Sequence, residues 1–367
     1  MKISFNWLKQ YVKNDLSAYE LGEILTNTGL EVEEITPYES IKGGLKGVVV
    51  GKVLTCTDHP NSDHLHLTKV DIGGEEPLNI VCGAPNVAEG QKVLVATIGT
   101  ELFIKGKSVV IKKGKIRGEV SEGMICAEDE LQLGESHEGI MVLPDNFEVG
   151  KPASLYFPVE HDFTLEIGLT ANRSDATSHI GCDRDIVAAL NKKENTRKYH
   201  IDFPDVENFK VDNTNNIIDI VVEDTQNCPR YTGLTISNVK VGPSPAWLRH
   251  RLEAVGLRSI NNIVDISNFV LMEMGQPLHI FDADKIKGNK VIVKCLAKDT
   301  PFVTLDGVER KLNDNNLMIC NAEEPMCIAG VFGGMKSGVT DNTTNIFIES
   351  AYFHPTSIRK TARFHGL

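Results

Sequence analysis

Between Gly47 and about Asp145 the chain is cut by glycines at 51, 73, 74, 83, 90, 99, 106, 114 and 118, with short alternating apolar runs between them. Val48, Val50 and Val53 form one run, Leu65, Leu67 and Val70 a second, and Val93, Val95 and Ile98 a third. Short strands separated by turns at this density predict a small β-barrel. One part of it is strongly basic: Lys105, Lys107, Lys112, Lys113, Lys115 and Arg117 fall close together. An exposed basic hairpin on a barrel suits contact with a nucleic-acid backbone. A solvated hairpin, whose lysines keep its edges from pairing with other strands, fits the charges equally well.

The flanks have a different pattern. Residues 1–39 predict two short helices, with Ser17 and Glu20 as a capping box and Gly29 as a stop. A segment this short cannot bury a core of its own and has to pack on something later in the chain. Residues 152–190 are again helical, and Asn172-Arg173-Ser174-Asp175 reads as a structural ion pair with caps. Residues 191–216 are polar, with few periodic apolar positions, and read as a linker. From residue 217 strands and helices mix without regular alternation, including an Asp306-Gly307 hairpin turn. The whole is therefore expected to be an α+β, multidomain chain.

Within that last region, residues 258–282 carry the most information. Ile260, Ile263, Val264, Val270, Leu271 and Met274 recur at mostly helical spacing. Ser259 is the expected N-cap, Gly275 the left-handed stop, and Pro277 prevents the helix from resuming. His279 then sits between apolar residues, held in place and partly desolvated. Read from the residues alone, a capped helix with one buried, hydrogen-bonded histidine accounts for this stretch.

Composition sets limits on the rest. A length of 367 residues calls for two or three domains, and 41% hydrophobic with 24% charged residues is ordinary for a soluble globular chain. No apolar run approaches a membrane span, and the charged N-terminus lacks a signal-peptide core, so a cytoplasmic protein is expected. Eight scattered cysteines without a CxxC pair suit reduced thiols. A net charge of −12 argues against general nucleic-acid binding, while leaving room for a local basic patch. His59, Asp63, His64 and His66 have a ligand-like look, but no metal site is expected there.

The run from Arg258-Ser259-Ile260-Asn261-Asn262 through Gly275-Gln276-Pro277-Leu278-His279 resembles the editing domain of the bacterial phenylalanyl-tRNA synthetase beta-subunit family. HPNSDHLHLTKVD (residues 59–71), IVCGAPNV (80–87) and KIRGEVSEGMICAEDEL (115–131) resemble that family's tRNA-binding OB-fold, with His64 where a lysine is common. The resemblance covers essentially the whole chain and matches it to the N-terminal part of a subunit about twice as long. It implies a discontinuous first domain, residues 1–39 plus 152–190, with an OB-fold tRNA-binding barrel inserted at 40–151. A linker at 191–216 and an editing domain at 217–367 would follow, that domain continuing past residue 367 with a segment that completes its pocket.

The resemblance further implies hydrolytic editing of Tyr-tRNA(Phe), with aminoacylation carried out by an alpha subunit in a two-alpha two-beta heterotetramer. Glu349 corresponds to the carboxylate that selects tyrosine by accepting its hydroxyl hydrogen. His279, Asn268 and Ser267, the last standing where threonine is frequent, match positions around the ester and water. Arg258, Gly333 and Gly334 match positions around the tRNA end. The barrel lysines and Arg117 would meet tRNA. ATP and magnesium are expected to serve the complete enzyme and not to be bound here. A non-catalytic tRNA-binding scaffold and a free-standing mischarged-tRNA deacylase are the alternatives.

Overall fold

The computed structural model describes residues 1–134 and 136–367. They divide into two compact units, one formed by Met1–Ile35 with Thr164–Leu367 and the other by Thr36–Phe163.

The chain starts with β1 (Lys2–Ser4), α1 (Phe5–Tyr11), α2 (Ala18–Asn27) and β2 (Glu31–Glu39). Ser4 caps α1 by accepting the Trp7 N–H at 3.0 Å. At α2 the expected capping box forms, Ser17 and Glu20 each satisfying the other's backbone donor.

The second unit carries β3 (Val48–Asp58), β4 (His66–Asp71), β5 (Leu78–Cys82), β6 (Lys92–Thr97), β7 (Glu101–Ile104), β8 (Lys107–Val110), β9 (Gly114–Ile116), β10 (Glu119–Ser121), β11 (Gly123–Ile125) and β12 (Val142–Leu143). Its main sheet runs β11-β6-β3-β4-β5, with β12 also on β6. The alternation seen in the sequence is the reason: Val48, Val50, Val53, Val70, Val93 and Val95 are fully buried. The sheet nearly closes on itself. The Glu122 N–H donates to the Asn79 carbonyl at 2.8 Å and the Val81 N–H to Ser121 Oγ at 3.2 Å, joining the β10–β11 end to β5. His59 is buried, and both ring nitrogens are used internally: Nδ1 accepts the Asn61 N–H at 3.0 Å and Nε2 lies 3.2 Å from the Ile116 carbonyl.

The chain re-enters the first unit through β13 (His161–Gly168), which pairs antiparallel with β1, Ile3 opposite Leu165, in a sheet ordered β1-β13-β2. α3 (His179–Lys193) follows, capped by Ser178. Just before it, Arg173 reaches Asp175 at 3.2 Å and Asp185 at 2.8 Å, so the ion pair expected here forms. Then come β14 (Asp219–Val222), β15 (Arg230–Ser237), α4 (Ala246–Ala254), α5 (Asn262–Met274), β16 (His279–Asp282), β17 (Lys290–Cys295), β18 (Pro301–Val303), β19 (Glu309–Lys311), β20 (Leu317–Cys320), β21 (Pro325–Ile328), β22 (Phe332–Gly333), β23 (Asn345–Tyr352) and α6 (Pro355–His365). One sheet runs β14-β17-β20-β21-β22 and another β15-β23-β16. Phe281, Val291, Val293, Ile319 and Phe347 fill the core they share.

The N-terminal helices pack on α3, and α1 also reaches α5. Trp7 stacks on His179 with ring centroids 4.0 Å apart and on Phe269 at 4.5 Å. Trp7 Nε1–H donates to the Tyr11 hydroxyl at 2.9 Å, and that hydroxyl donates to Glu273. His179 accepts the Ser4 N–H on Nε2 at 3.0 Å and donates from Nδ1 to the Met272 carbonyl at 2.7 Å. These contacts hold residues 1–35 on β13, α3 and α5, within one compact unit with 164–367. As compact units the described residues divide at 35/36 and 163/164.

α5 also departs from its expected start. Asn261 is the N-cap, its side chain accepting the Ile263 and Val264 N–H groups at 3.1 and 3.0 Å. Ser259, expected in that role, donates its hydroxyl to the buried Asp265 instead, as does Ser244. Gly275 ends the helix in the left-handed conformation, φ 77°, as its position predicts.

Candidate active site

The stop at Gly275 and the turn through Pro277 bring the chain directly into β16, so His279 is fixed one step past the end of α5. β16 lies antiparallel to β23, and in that register His279 stands directly opposite Glu349. Directly opposed residues on neighbouring strands have Cβ atoms only about 5 Å apart. On the other side of β23, Gly233 of β15 pairs with Glu349. β22 adds the third wall. A Cβ on Gly333 would lie 2.9 Å from His279 Cε1 and 2.8 Å from Leu305 Cδ1, so only glycine lets this backbone approach the imidazole. His279, Glu349, Gly333 and Cys327 line a cavity of about 440 Å³, closed at the side by Phe353 and Ile358.

Two of the polar side chains that line this cavity, Glu349 and His279, are tuned by burial. Glu349 is 5% exposed, and desolvation pushes its carboxyl up to about 7, against the lowering effect of a hydrogen bond from the Tyr231 hydroxyl at 2.6 Å. Burial holds His279 down at about 4, so its ring is neutral at neutral pH. The imidazole packs edge-on against Phe281 at 4.4 Å and has no hydrogen-bond partner among the described residues. A neutral ring with uncommitted nitrogens can orient a water and an ester by hydrogen bonds. Cys327 is poorly suited to nucleophilic attack, because complete burial pushes its thiol far up and its hydrogen goes to the Phe332 carbonyl at 3.3 Å.

Residues 227–367 match the family described as "B3/4 domain", and residues 48–152 the family described as "Putative tRNA binding domain". Over all 367 residues the chain is 55% identical to the phenylalanine-tRNA ligase beta subunit of Bacteroides fragilis, covering 44% of that protein. It is 54% identical to the beta subunit of Porphyromonas gingivalis and 44% identical to that of Halalkalibacterium halodurans, in each case over 100% of this chain and 45% of the relative. The chain belongs to the phenylalanine-tRNA ligase beta-subunit family. It spans less than half the length of the curated relatives it matches.

Within this beta-subunit framework the expected site residues do not all converge. His279, Glu349 and Gly333 line the one cavity. Gly334 lies on the far side of the strand and lines another, beside Phe302 and Met326. Arg258 is exposed in the loop before α5. Ser267 and Asn268 are half-buried on α5, the Ser267 hydroxyl donating to the Val264 carbonyl at 2.7 Å. These three do not line the His279 cavity. The sequence reading missed Tyr231 as the partner of Glu349, because 118 positions separate the two and nothing local links them.

The basic residues lie in the other unit. Lys105, Lys107, Lys112, Lys113, Lys115 and Arg117 are all exposed. Lys112 and Lys115 edge an open cavity of about 580 Å³ with Ile116 and Met124. Lys113 pairs with Glu122 at 2.8 Å, and Arg117 donates to the Asn61 carbonyl at 3.1 Å.

Proposed function

We propose that this chain supplies tRNA binding and hydrolytic editing of Tyr-tRNA(Phe) to a complete phenylalanine-tRNA ligase. Its second unit is an OB-fold that meets tRNA(Phe) through the exposed lysines and Arg117, and its last region is the editing domain. The alpha subunit carries aminoacylation in a two-alpha two-beta cytoplasmic assembly. ATP and magnesium serve that synthetic site. Among the described residues of this chain, no group of three or more histidines, cysteines or acidic residues is placed to hold an ion.

The observation that carries this reading is a buried carboxylate, Glu349, opposite a neutral histidine in a cavity walled by glycine backbone. A tyrosyl side chain in the cavity donates its phenol hydrogen to Glu349, whereas phenylalanine leaves that buried acceptor unpaired. Selection of this kind reaches several orders of magnitude, which an apolar pocket cannot reach by size alone. Hydrolysis needs a water to add to the ester carbonyl and the bond to the ribose oxygen to break, that oxygen leaving with a proton. His279 orients the water and the ester for this step. Arg258, Ser267, Asn268 and Gly334 contribute by holding the tRNA end nearby.

The test is tyrosine release from Tyr-tRNA(Phe) by the complete alpha–beta enzyme, with wild type beside His279→Ala and Glu349→Ala. Loss of release with intact phenylalanine charging supports the reading. Unchanged release in both variants would make the chain a tRNA-binding scaffold.

A further inference from the structure

Glu349 meets a tyrosine hydroxyl already, one that belongs to the chain itself. Tyr231 is on β15, where it pairs with Ala351, while Gly233 pairs with Glu349. Tyr231 and Glu349 are therefore diagonal neighbours across the two strands, within reach of a long side chain. The Tyr231 hydroxyl donates to Glu349 Oε2 at 2.6 Å, the only hydrogen bond of that carboxyl among the described residues. The Tyr231 ring packs against the core around Phe281 and Phe347 and does not line the cavity, whereas Glu349 does. The carboxyl thus spans two environments: Oε2 is tied to the core and Oε1 is left without a bond.

We propose that Tyr231 is a positioning and specificity-determining residue, whose hydroxyl fixes the Glu349 carboxylate so that its other oxygen faces a tyrosine hydroxyl in the cavity. This rests on the editing reading given above. Selecting a phenol by one hydrogen bond demands an acceptor that is fixed and ionised. A glutamate has three side-chain torsions, and an untethered carboxyl can turn away or take up a proton. The Tyr231 bond opposes both. The other groups around the carboxyl give it little help: Cys228 and Cys327 are uncharged thiols, His279 across the strand is neutral, and no described lysine or arginine pairs with it.

The effect of removing one oxygen follows from this balance. In Tyr231→Phe the ring and its packing remain, but nothing counters the burial of Glu349. The carboxyl then holds its proton to higher pH, and the acid limb of tyrosine-ester hydrolysis moves upward. At neutral pH the preference for tyrosyl over phenylalanyl ester falls roughly tenfold, the scale of one hydrogen bond to a charged group.

The experiment uses the complete alpha–beta enzyme and compares wild type, Tyr231→Phe, Glu349→Gln and the double variant on Tyr-tRNA(Phe) and Phe-tRNA(Phe) across pH 5.5 to about 9, a range spanning a carboxyl shifted as burial allows. Phenylalanine charging serves as the check on folding. The proposal expects Tyr231→Phe to shift the acid limb upward and to lower selectivity. It expects no further shift when Glu349 is already glutamine. A Tyr231→Phe profile and selectivity superimposable on wild type would overturn the proposal while leaving editing at Glu349 intact. If Glu349→Gln itself leaves selectivity unchanged, the editing reading fails and this proposal falls with it.

Discussion

His179 and His279 lie in the same compact unit, both are desolvated, and burial depresses both, to about 3 and about 4. Their surroundings are nevertheless opposite. At His179 both ring nitrogens are bonded and one face is stacked on Trp7. At His279 neither nitrogen is bonded to a described residue, and the ring edge meets a cavity and a glycine backbone. Two carboxyls repeat the contrast. Burial pushes Asp183 up to about 8 and Glu349 up to about 7, yet the Asp183 carboxyl has no hydrogen-bond partner among the described residues and lines no described cavity, while Glu349 is tethered and faces one. A shifted proton affinity is therefore common to both pairs. What sets His279 and Glu349 apart is hydrogen-bonding capacity that faces accessible volume.

The comparison can be broken first by truncating the histidines. His179→Ala removes two buried hydrogen bonds and a stacked ring, and should cost about 4 kcal/mol in urea unfolding. His279→Ala should cost under about 1 kcal/mol, since it leaves no partner unpaired. Equal losses would mean that the two sites are both structural. Gly333→Ala puts a methyl within 2.9 Å of the His279 ring and should lower tyrosine release about 100-fold, with phenylalanine charging unchanged.

The carboxyl contrast is sharpened by pH. The folded affinity of Asp183 for its proton is raised, so its contribution is fully present below the unfolded pKa and is lost as pH rises through about 8. Asp183→Asn should therefore be more stable than wild type by roughly 2 kcal/mol at pH 7.5, with the gap closing toward pH 4. His179 has the opposite sign: its folded affinity is depressed, so its contribution holds above the unfolded pKa and is lost as pH falls toward about 3. Thermal melts across that range check both slopes. The smallest effect belongs to the barrel. Lys105→Ala with Lys107→Ala should leave its stability within about 0.5 kcal/mol and lower the salt slope of tRNA binding by about 2.

Much of this architecture was legible because it is local. The valine alternation, the Ser17–Glu20 box and the Gly275 stop act within a few residues, so spacing alone reveals them. The position of His279 followed from the same logic. The N-cap of α5 did not, because Ser259 and Asn261 are both good caps and the choice is made by Asp265, which recruits Ser259 elsewhere. The links that define the two histidine environments are also distant in sequence. Ser4 and His179 are 175 positions apart, and His179 and Met272 are 93 apart. No periodicity reports such pairs, so His179 was passed over as part of a helix start, and Tyr231 as one residue of a strand.

The most direct measurement is the ratio of hydrolysis rates for Tyr-tRNA(Phe) and Phe-tRNA(Phe) by the complete enzyme, wild type against Glu349→Ala. If the buried carboxyl reads the phenol, the ratio should collapse toward one in the variant while phenylalanine charging is retained. A ratio that stays at the wild-type value would contradict the assignment of Glu349 and, with it, the proposed role of the His279 cavity.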